Sequence, residues 1–210
     1  KFQLVPFWQR AIPINDVLDA KTNDDLLRNK FVVVYGGSIG AAQRIEHILE
    51  LANETRDNSD IVYLILGRGS YLPVLKEMAK AQQLANVVFK EFLPREEYMQ
   101  LLASCDVGMI ILNEKMATPN FPSKSLAYFN MRVPVLAALD YSTDFGRFLE
   151  DKGIGLWAYS DKPKEIKKKL MMYYENRQLL TETKEIAFNY YMDNLQPEHA
   201  YYSIIKLIQK

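Results

Sequence analysis

Three stretches of this 210-residue chain carry residues suited to holding a phosphate. In the first, Gly36-Gly37-Ser38-Ile39-Gly40 follows an apolar run and opens an amphipathic one. Glycines there let the backbone close on a ligand and aim N–H groups at an anion. The same residues also make an ordinary tight turn that packs a helix on a sheet, and both readings stand at this point. In the second, Gly67-Arg68-Gly69-Ser70, the Arg68 guanidinium could reach a phosphate or an acceptor, although a solvated arginine in a turn is the simpler reading. The third is the polar, proline-interrupted stretch 113–135 (NEKMATPNFPSKSLAYFNMRVPV), which leads into a helix beginning near Ser123. Ser123, Lys124 and Ser125 at a helix start combine free backbone N–H groups, hydroxyls and an ammonium, the makings of an anion site. Residue chemistry alone leans to the plainer alternative, in which Ser123 caps its helix and Lys124 points to solvent.

Other chemistries find less support. The first glycine loop is not a dinucleotide fingerprint: its spacing differs, and Leu66-Gly67-Arg68-Gly69 stands where an acidic residue should end the second strand, which disfavours an NAD enzyme. His47 and His199 have no metal-ligating neighbours in sequence and read as surface or satisfied histidines. No Ser/His/Asp or Cys/His arrangement can be assembled. The paired tyrosines of the tail (Tyr173, Tyr174, Tyr190, Tyr191, Tyr201, Tyr202) could stack on a sugar or a base, but pairs at helical spacing pack more often than they bind. The 26 basic and 26 acidic residues cancel, so no global field draws the chain to nucleic acid or to an anionic membrane. The lone Cys105 excludes an internal disulfide framework and fits a reducing compartment. With no apolar run of membrane-span length and no signal-peptide layout, a cytoplasmic location is expected.

The elements that would position the three stretches follow from the hydrophobic pattern. From residue 31 onward, β-branched apolar runs at 31–35, 61–66, 87–89, 107–112, 134–138 and 154–157 alternate with amphipathic stretches at 41–55, 71–83, 95–104, 123–130 and 143–151. Strands separated by helical crossovers predict a doubly wound, Rossmann-like α/β sheet of parallel strands. Helices alone are predicted afterwards, at 163–176, 179–194 and 197–209, with Pro163 and Pro197 in first turns where their missing N–H costs nothing. In such a sheet a ligand sits beyond the carboxyl ends of the strands, where the strand order reverses. Residues 1–30, which start on Lys1 and are broken by Pro6 and Pro13, read as an interdomain linker cut from a longer protein; 31–176 read as the binding domain and 177–210 as closing helices.

The ordered set of motifs resembles a known family. Asn86-Val87-Val88-Phe89, Phe92-Leu93-Pro94, the helix at 98–103, Cys105-Asp106-Val107-Gly108, Pro122-Ser123-Lys124 and Pro134-Val135-Leu136-Ala137 are similar in order to the C-terminal domain of retaining, GT-B-type glycosyltransferases that build bacterial surface polysaccharides such as capsule and O-antigen. Tyr35-Gly36-Gly37-Ser38-Ile39-Gly40 with Ala42-Gln43, and Leu66-Gly67-Arg68-Gly69, extend the likeness, which covers the chain from Phe31 onward. The resemblance implies a domain that binds a nucleotide-diphosphate sugar, UDP-linked by preference, without a metal or other cofactor. Its acceptor would be a polysaccharide or a lipid-linked sugar, carried by a missing N-terminal half, with peripheral contact of the full-length protein at the inner membrane face. Carried over by position, Gly36, Gly37, Ser38, Gly40, Gln43 and Arg68 would lie around the diphosphate, Ser123, Lys124, Ser125 and Leu126 would take its distal phosphate, and Phe92 and Leu93 would pass the nucleobase. No catalytic residue is assigned.

This chain departs from the family's pattern at several points. Pro119 and Ala127 occupy the positions of two glutamates, the first near the transferred sugar and the second on the ribose hydroxyls. Ser38 and Gln43 replace a cationic pair, and Arg132 replaces a glycine. Lys124, Arg68, Lys115 and Glu114 are left to compensate. The isolated domain is expected not to turn over, because the acceptor and much of the closed site would come from the missing half, and to bind nucleotide weakly at most. Two alternatives remain: a degenerate, non-catalytic domain that serves as an interaction module, and, less favoured for want of an acid–base pair, an epimerase of the same fold.

Overall fold

The computed structural model describes residues 7–13, 21, 24–115 and 117–209. Phe31–Ser38 (β1) and Ile61–Arg68 (β2) are buried almost from end to end, as strands covered by helices on both faces must be. Val87–Lys90 (β3), Val107–Ile111 (β4), Val135–Leu139 (β5) and Gly155–Tyr159 (β6) complete a six-stranded sheet in the order β3-β2-β1-β4-β5-β6. Every pairing is parallel. The order reverses between β1 and β4, so the loops leaving those two strands diverge and open a crevice at their carboxyl ends.

Alternation along β1 divides the core into two layers. Phe31, Val33 and Tyr35 face one layer, which Glu46–Glu54 (α1), Leu72–Ala81 (α2) and Pro163–Glu175 (α6) fill with Ile48, Leu75 and Leu170. Val32 and Val34 face the other, filled by Leu102, Phe129, Leu149 and Tyr191 from Arg95–Ala103 (α3), Lys124–Asn130 (α4), Phe145–Lys152 (α5) and Arg177–Asn194 (α7). Pro197–Ile208 (α8) buries Ala200 and leaves Tyr201, Tyr202, Ile204, Leu207 and Ile208 exposed. No helix among the described residues is long and apolar enough to cross a membrane.

All six predicted strands are present, and the differences are informative. β1 and β2 run on past 35 and 66 because Gly37 and Gly67 sit opposite each other in register, at φ 141° and 151°. A Cβ on Gly67 would lie 1.9 Å from the Gly37 carbonyl oxygen, so the backbones touch there and no side chain fits. The predicted helix 41–55 is not continuous. It is a 3-10 turn, Ala41–Gln43, then Arg44 in the left-handed region at φ 52°, then α1. Helical periodicity runs through Arg44 unbroken; what bends the chain is a distant partner, since its guanidinium reaches Glu114 at 3.3 Å. Arg132, just past α4, also takes a left-handed φ of 55°, as a glycine would. An ion pair with Glu185 and stacking over Phe188 at 3.8 Å, both on α7, hold it there.

Part of the predicted linker 1–30 is packed. The Tyr191 hydroxyl donates to the Gln9 carbonyl at 2.8 Å, the Gln9 amide donates to Leu195 at 3.2 Å, and Phe7 meets Phe121 edge-on at 4.4 Å. Residues 1–6, 14–20 and 22–23 of that linker lie outside the described residues.

Candidate active site

Lys124 organises the crevice. It opens α4, and its side chain turns inward, not to solvent: Nζ lies 3.9 Å above the centre of the Tyr35 ring. A Cβ built on Gly37 would be 3.5 Å from that nitrogen, so the bare glycine leaves the ammonium room against the end of β1. Burial lowers the Lys124 pKa from 10.5 to about 8, because a largely desolvated ammonium with an aromatic face but no carboxylate partner is poorly compensated. An anion brought beside it would restore the charge. Tyr35 is fixed in turn by its hydroxyl, which donates to the Ser38 carbonyl at 3.0 Å, and burial pushes its pKa up to about 12.

Two cavities meet at Lys124 and Ser38. The larger, about 400 Å³, runs over the ends of β1 and β2, and Gly36, Gly37, Arg68, Phe92, Leu93 and Lys124 line it. The Arg68 guanidinium stacks on Phe92 at 4.8 Å, and Phe92 itself is 61 % exposed. An exposed aromatic ring with a cation at its face offers a flat platform to a planar ligand at the rim of an anion pocket. The smaller cavity, about 260 Å³, lies toward β4, where Gln43, Asn120, Phe121 and Ser123 line it beside Ser38 and Lys124. The donor-site residues expected around a diphosphate thus converge from three separate loops.

Some expected members serve the scaffold instead. The Ser125 hydroxyl is buried and donates to the Pro122 carbonyl at 2.7 Å, while Leu126 is a core residue. The amides of Ser125 and Leu126 donate to the carbonyls of Pro122 and Ser123 at 3.1 Å each. Of the helix start, only the amides of Ser123 and Lys124 are left without an acceptor among the described residues. Ser123 does not cap its helix: it has helical dihedrals and makes no side-chain cap bond. Gly40 and Gln43 bond each other, the Gly40 amide to Gln43 Oε1 at 3.0 Å and the Gln43 amide to the Gly40 carbonyl at 3.1 Å, which closes the 3-10 turn.

Several residues that line the large cavity were not among the site residues expected from sequence. Arg95 and Tyr98 on the first turn of α3 do so, as does Leu66. The i, i+3 spacing of Arg95 and Tyr98 directly after Phe92-Leu93-Pro94 was the available signal. Tyr98 lies so close to Gly36 that a Cβ there would be 2.3 Å from its hydroxyl. Burial raises its pKa, and it lies beside Tyr128, whose own hydroxyl donates to the Met109 carbonyl at 3.1 Å. Ala127 also lines this cavity. Lys115 is exposed, and Glu114 belongs to a different assembly.

That assembly centres on His47, which is buried, with Nδ1 2.8 Å from Glu50 and Nε2 3.1 Å from Glu114. Burial works against a charged ring, but the hydrogen bonds to Glu50 and Glu114 outweigh it and raise the His47 pKa. A neutral imidazole has one N–H and cannot donate to both carboxylates; the cation can. Together with Asn113 Nδ2 donating to the Ala42 carbonyl at 3.1 Å, this ties the loop after β4 to the turn after β1. Among the described residues no group of three His, Cys, Asp or Glu side chains is disposed to hold a metal ion.

Comparison with known proteins gives concordant matches. The family described as glycosyl transferases group 1 matches residues 20–190. The probable glycosyltransferase WbjE of Pseudomonas aeruginosa is 32% identical over 130 residues, which cover 61% of this chain and 32% of that protein. The chain spans about a third of the length of the curated relatives it matches. In structure, it is similar to Anabaena HepE crystallised with UDP, with a TM-score of 0.76 at 15% identity over 92% of this chain and 52% of that one. It is also similar to the C-terminal domain of LpcC, a group 1 family protein from Francisella tularensis, with a TM-score of 0.70 at 14% identity over 88% of this chain and 95% of that domain.

Proposed function

This chain belongs to the group 1 glycosyl transferases and has the fold of a C-terminal domain of that family, and from that premise we propose that it is a donor-binding domain holding a UDP-sugar for transfer, with retention at the anomeric carbon, to a polysaccharide or lipid-linked acceptor. The observation that carries the reading is the Lys124 ammonium, held over Tyr35 against Gly37 at the junction of the two cavities. In this assignment the diphosphate lies at that junction. The nucleoside extends into the larger cavity toward Phe92 and Leu93, and the sugar extends into the smaller one beside Asn120 and Ser123. Charge that develops on the departing diphosphate is met by a cation already in place, and fixed charges of this kind contribute about 3 kcal/mol each to a transition state. HepE, of the same fold, was crystallised with UDP, which supports the choice of nucleotide.

The acceptor and the closing half of the site belong to a partner domain, and the exposed apolar side of α8 is a surface for it to cover. The isolated chain therefore binds nucleotide without transferring sugar. A second reading, a non-catalytic interaction module, draws on one observation: no carboxylate lines either cavity among the described residues. Titration of the chain with UDP, GDP and ADP, followed by calorimetry and by thermal shift, tests the proposal. Saturable preference for UDP that disappears in Lys124→Ala is the expected result. Absence of binding to all three at millimolar concentration would favour the interaction module.

A further inference from the structure

The larger cavity has an unusual balance of donors and acceptors. Arg68, Arg95 and Lys124 line it, yet no carboxylate or carboxamide does so among the described residues. Its remaining polar side chains are the hydroxyls of Ser38 and Tyr98, and the latter is buried beside Tyr128 and pressed against Gly36. Such a lining suits the phosphates and the flat base of a nucleotide. It suits a ribose diol poorly: each hydroxyl carries a proton that needs an acceptor, guanidinium and ammonium groups only donate, and in place of a carboxylate or carboxamide the lining offers only neutral acceptors, the Ser38 hydroxyl and main-chain carbonyls. Arginines could donate to a hydroxyl oxygen, but phosphate oxygens are the stronger acceptors in the same cavity. Ala127, one turn along α4 from Lys124, presents a methyl group to this space.

We propose that the nucleoside cavity does not recognise the ribose 2′-hydroxyl, so that the site takes 2′-deoxynucleoside diphosphates as readily as ribonucleoside diphosphates and its donor class includes sugars activated on deoxynucleotides. The inference rests on the nucleotide reading above. A site that accepts a hydrogen bond from a ligand hydroxyl discriminates against the ligand lacking it by tenfold or more, since its buried acceptor is left unpaired. A site with no charged or carboxamide acceptor forfeits little when the hydroxyl is absent.

The test is a paired titration of the whole chain with UDP and dUDP, at one pH and salt concentration, by calorimetry. A ratio of dissociation constants below about fivefold is expected. UDP binding with dUDP weaker by more than that would overturn this inference while leaving the nucleotide reading intact; binding of neither would overturn both. Ala127→Glu supplies the missing acceptor, and its folding is checked by its melting temperature. Repulsion weakens both nucleotides in that variant, but a preference of about tenfold for UDP should appear. A variant as indifferent as its parent would show that the ribose does not pass Ala127 and would overturn the assignment of the cavity.

Discussion

Proton uptake at Lys124 offers a quantitative test of where the diphosphate lies. In the free chain burial holds this group at about pKa 8, and a diphosphate beside it raises that value again. The sign follows directly: affinity is fully present below the free pKa and declines as pH rises through it toward the higher pKa of the complex. With a free pKa of about 8, roughly nine-tenths of the sites carry the ammonium at pH 7 and roughly one-tenth at pH 9. UDP affinity should therefore fall about tenfold between those values, near 1.4 kcal/mol, with about half a proton taken up per nucleotide at pH 8. The nucleotide's own terminal phosphate titrates near pH 6 and stays ionised across this window. Calorimetry in HEPES and in Tris, whose ionisation heats differ, reads the uptake directly. Lys124→Arg keeps the charge but does not titrate, so its pH profile should be flat. Equal uptake in the parent and the arginine variant, or an affinity unchanged from pH 7 to pH 9, would refute the placement of the phosphate at this residue.

Three further outcomes follow from the geometry. Gly67→Ala should lower the melting temperature by roughly 6–12 °C, because the new methyl meets the Gly37 backbone at 1.9 Å in a φ that disfavours side chains; a loss under 2 °C would contradict the contact. Phe92→Ala should leave the melting temperature within about 1 °C, since the ring is 61 % exposed, while weakening UDP binding about tenfold through lost base stacking. The His47 contribution to stability should be full below pH ~6.5 and fade as pH climbs through the raised folded-state pKa. The melting-temperature gap between the parent and His47→Ala should accordingly narrow from pH 6 to pH 8.5, and a constant gap would argue against a bridging imidazolium.

Much of the fold was legible because its causes are local. Val32, Val34, Leu64 and Ile110 belong to continuous apolar runs, and Pro163 and Pro197 mark helix starts. What sequence could not disclose depends on distant partners. Arg44 interrupts a helix for the sake of Glu114, seventy residues on. Residue chemistry alone leans only slightly to a solvent-facing Lys124, and the Tyr35 ring, from the first strand, explains its inward turn. Ser125 has the right chemistry for an anion but is turned to the Pro122 carbonyl by its place in the first helical turn. His47 could be read as satisfied, although neither Glu50 nor Glu114 could be named as its partner. The family likeness located the loops, and the packing decides which of their side chains face the crevice.

The contact between the backbones of Gly37 and Gly67 has a consequence for how such a domain diversifies. It gives the larger cavity a floor made of main chain, and a floor without side chains offers mutation nothing to alter except by breaking it. Many of the side chains that line the two cavities come from two walls, 92–98 on one side and 120–127 on the other, each carried by a separate loop and helix start. The first wall borders the nucleoside in the proposed arrangement and the second borders the sugar. In that arrangement a substitution on one wall need not disturb the other, because main chain alone joins them across the floor.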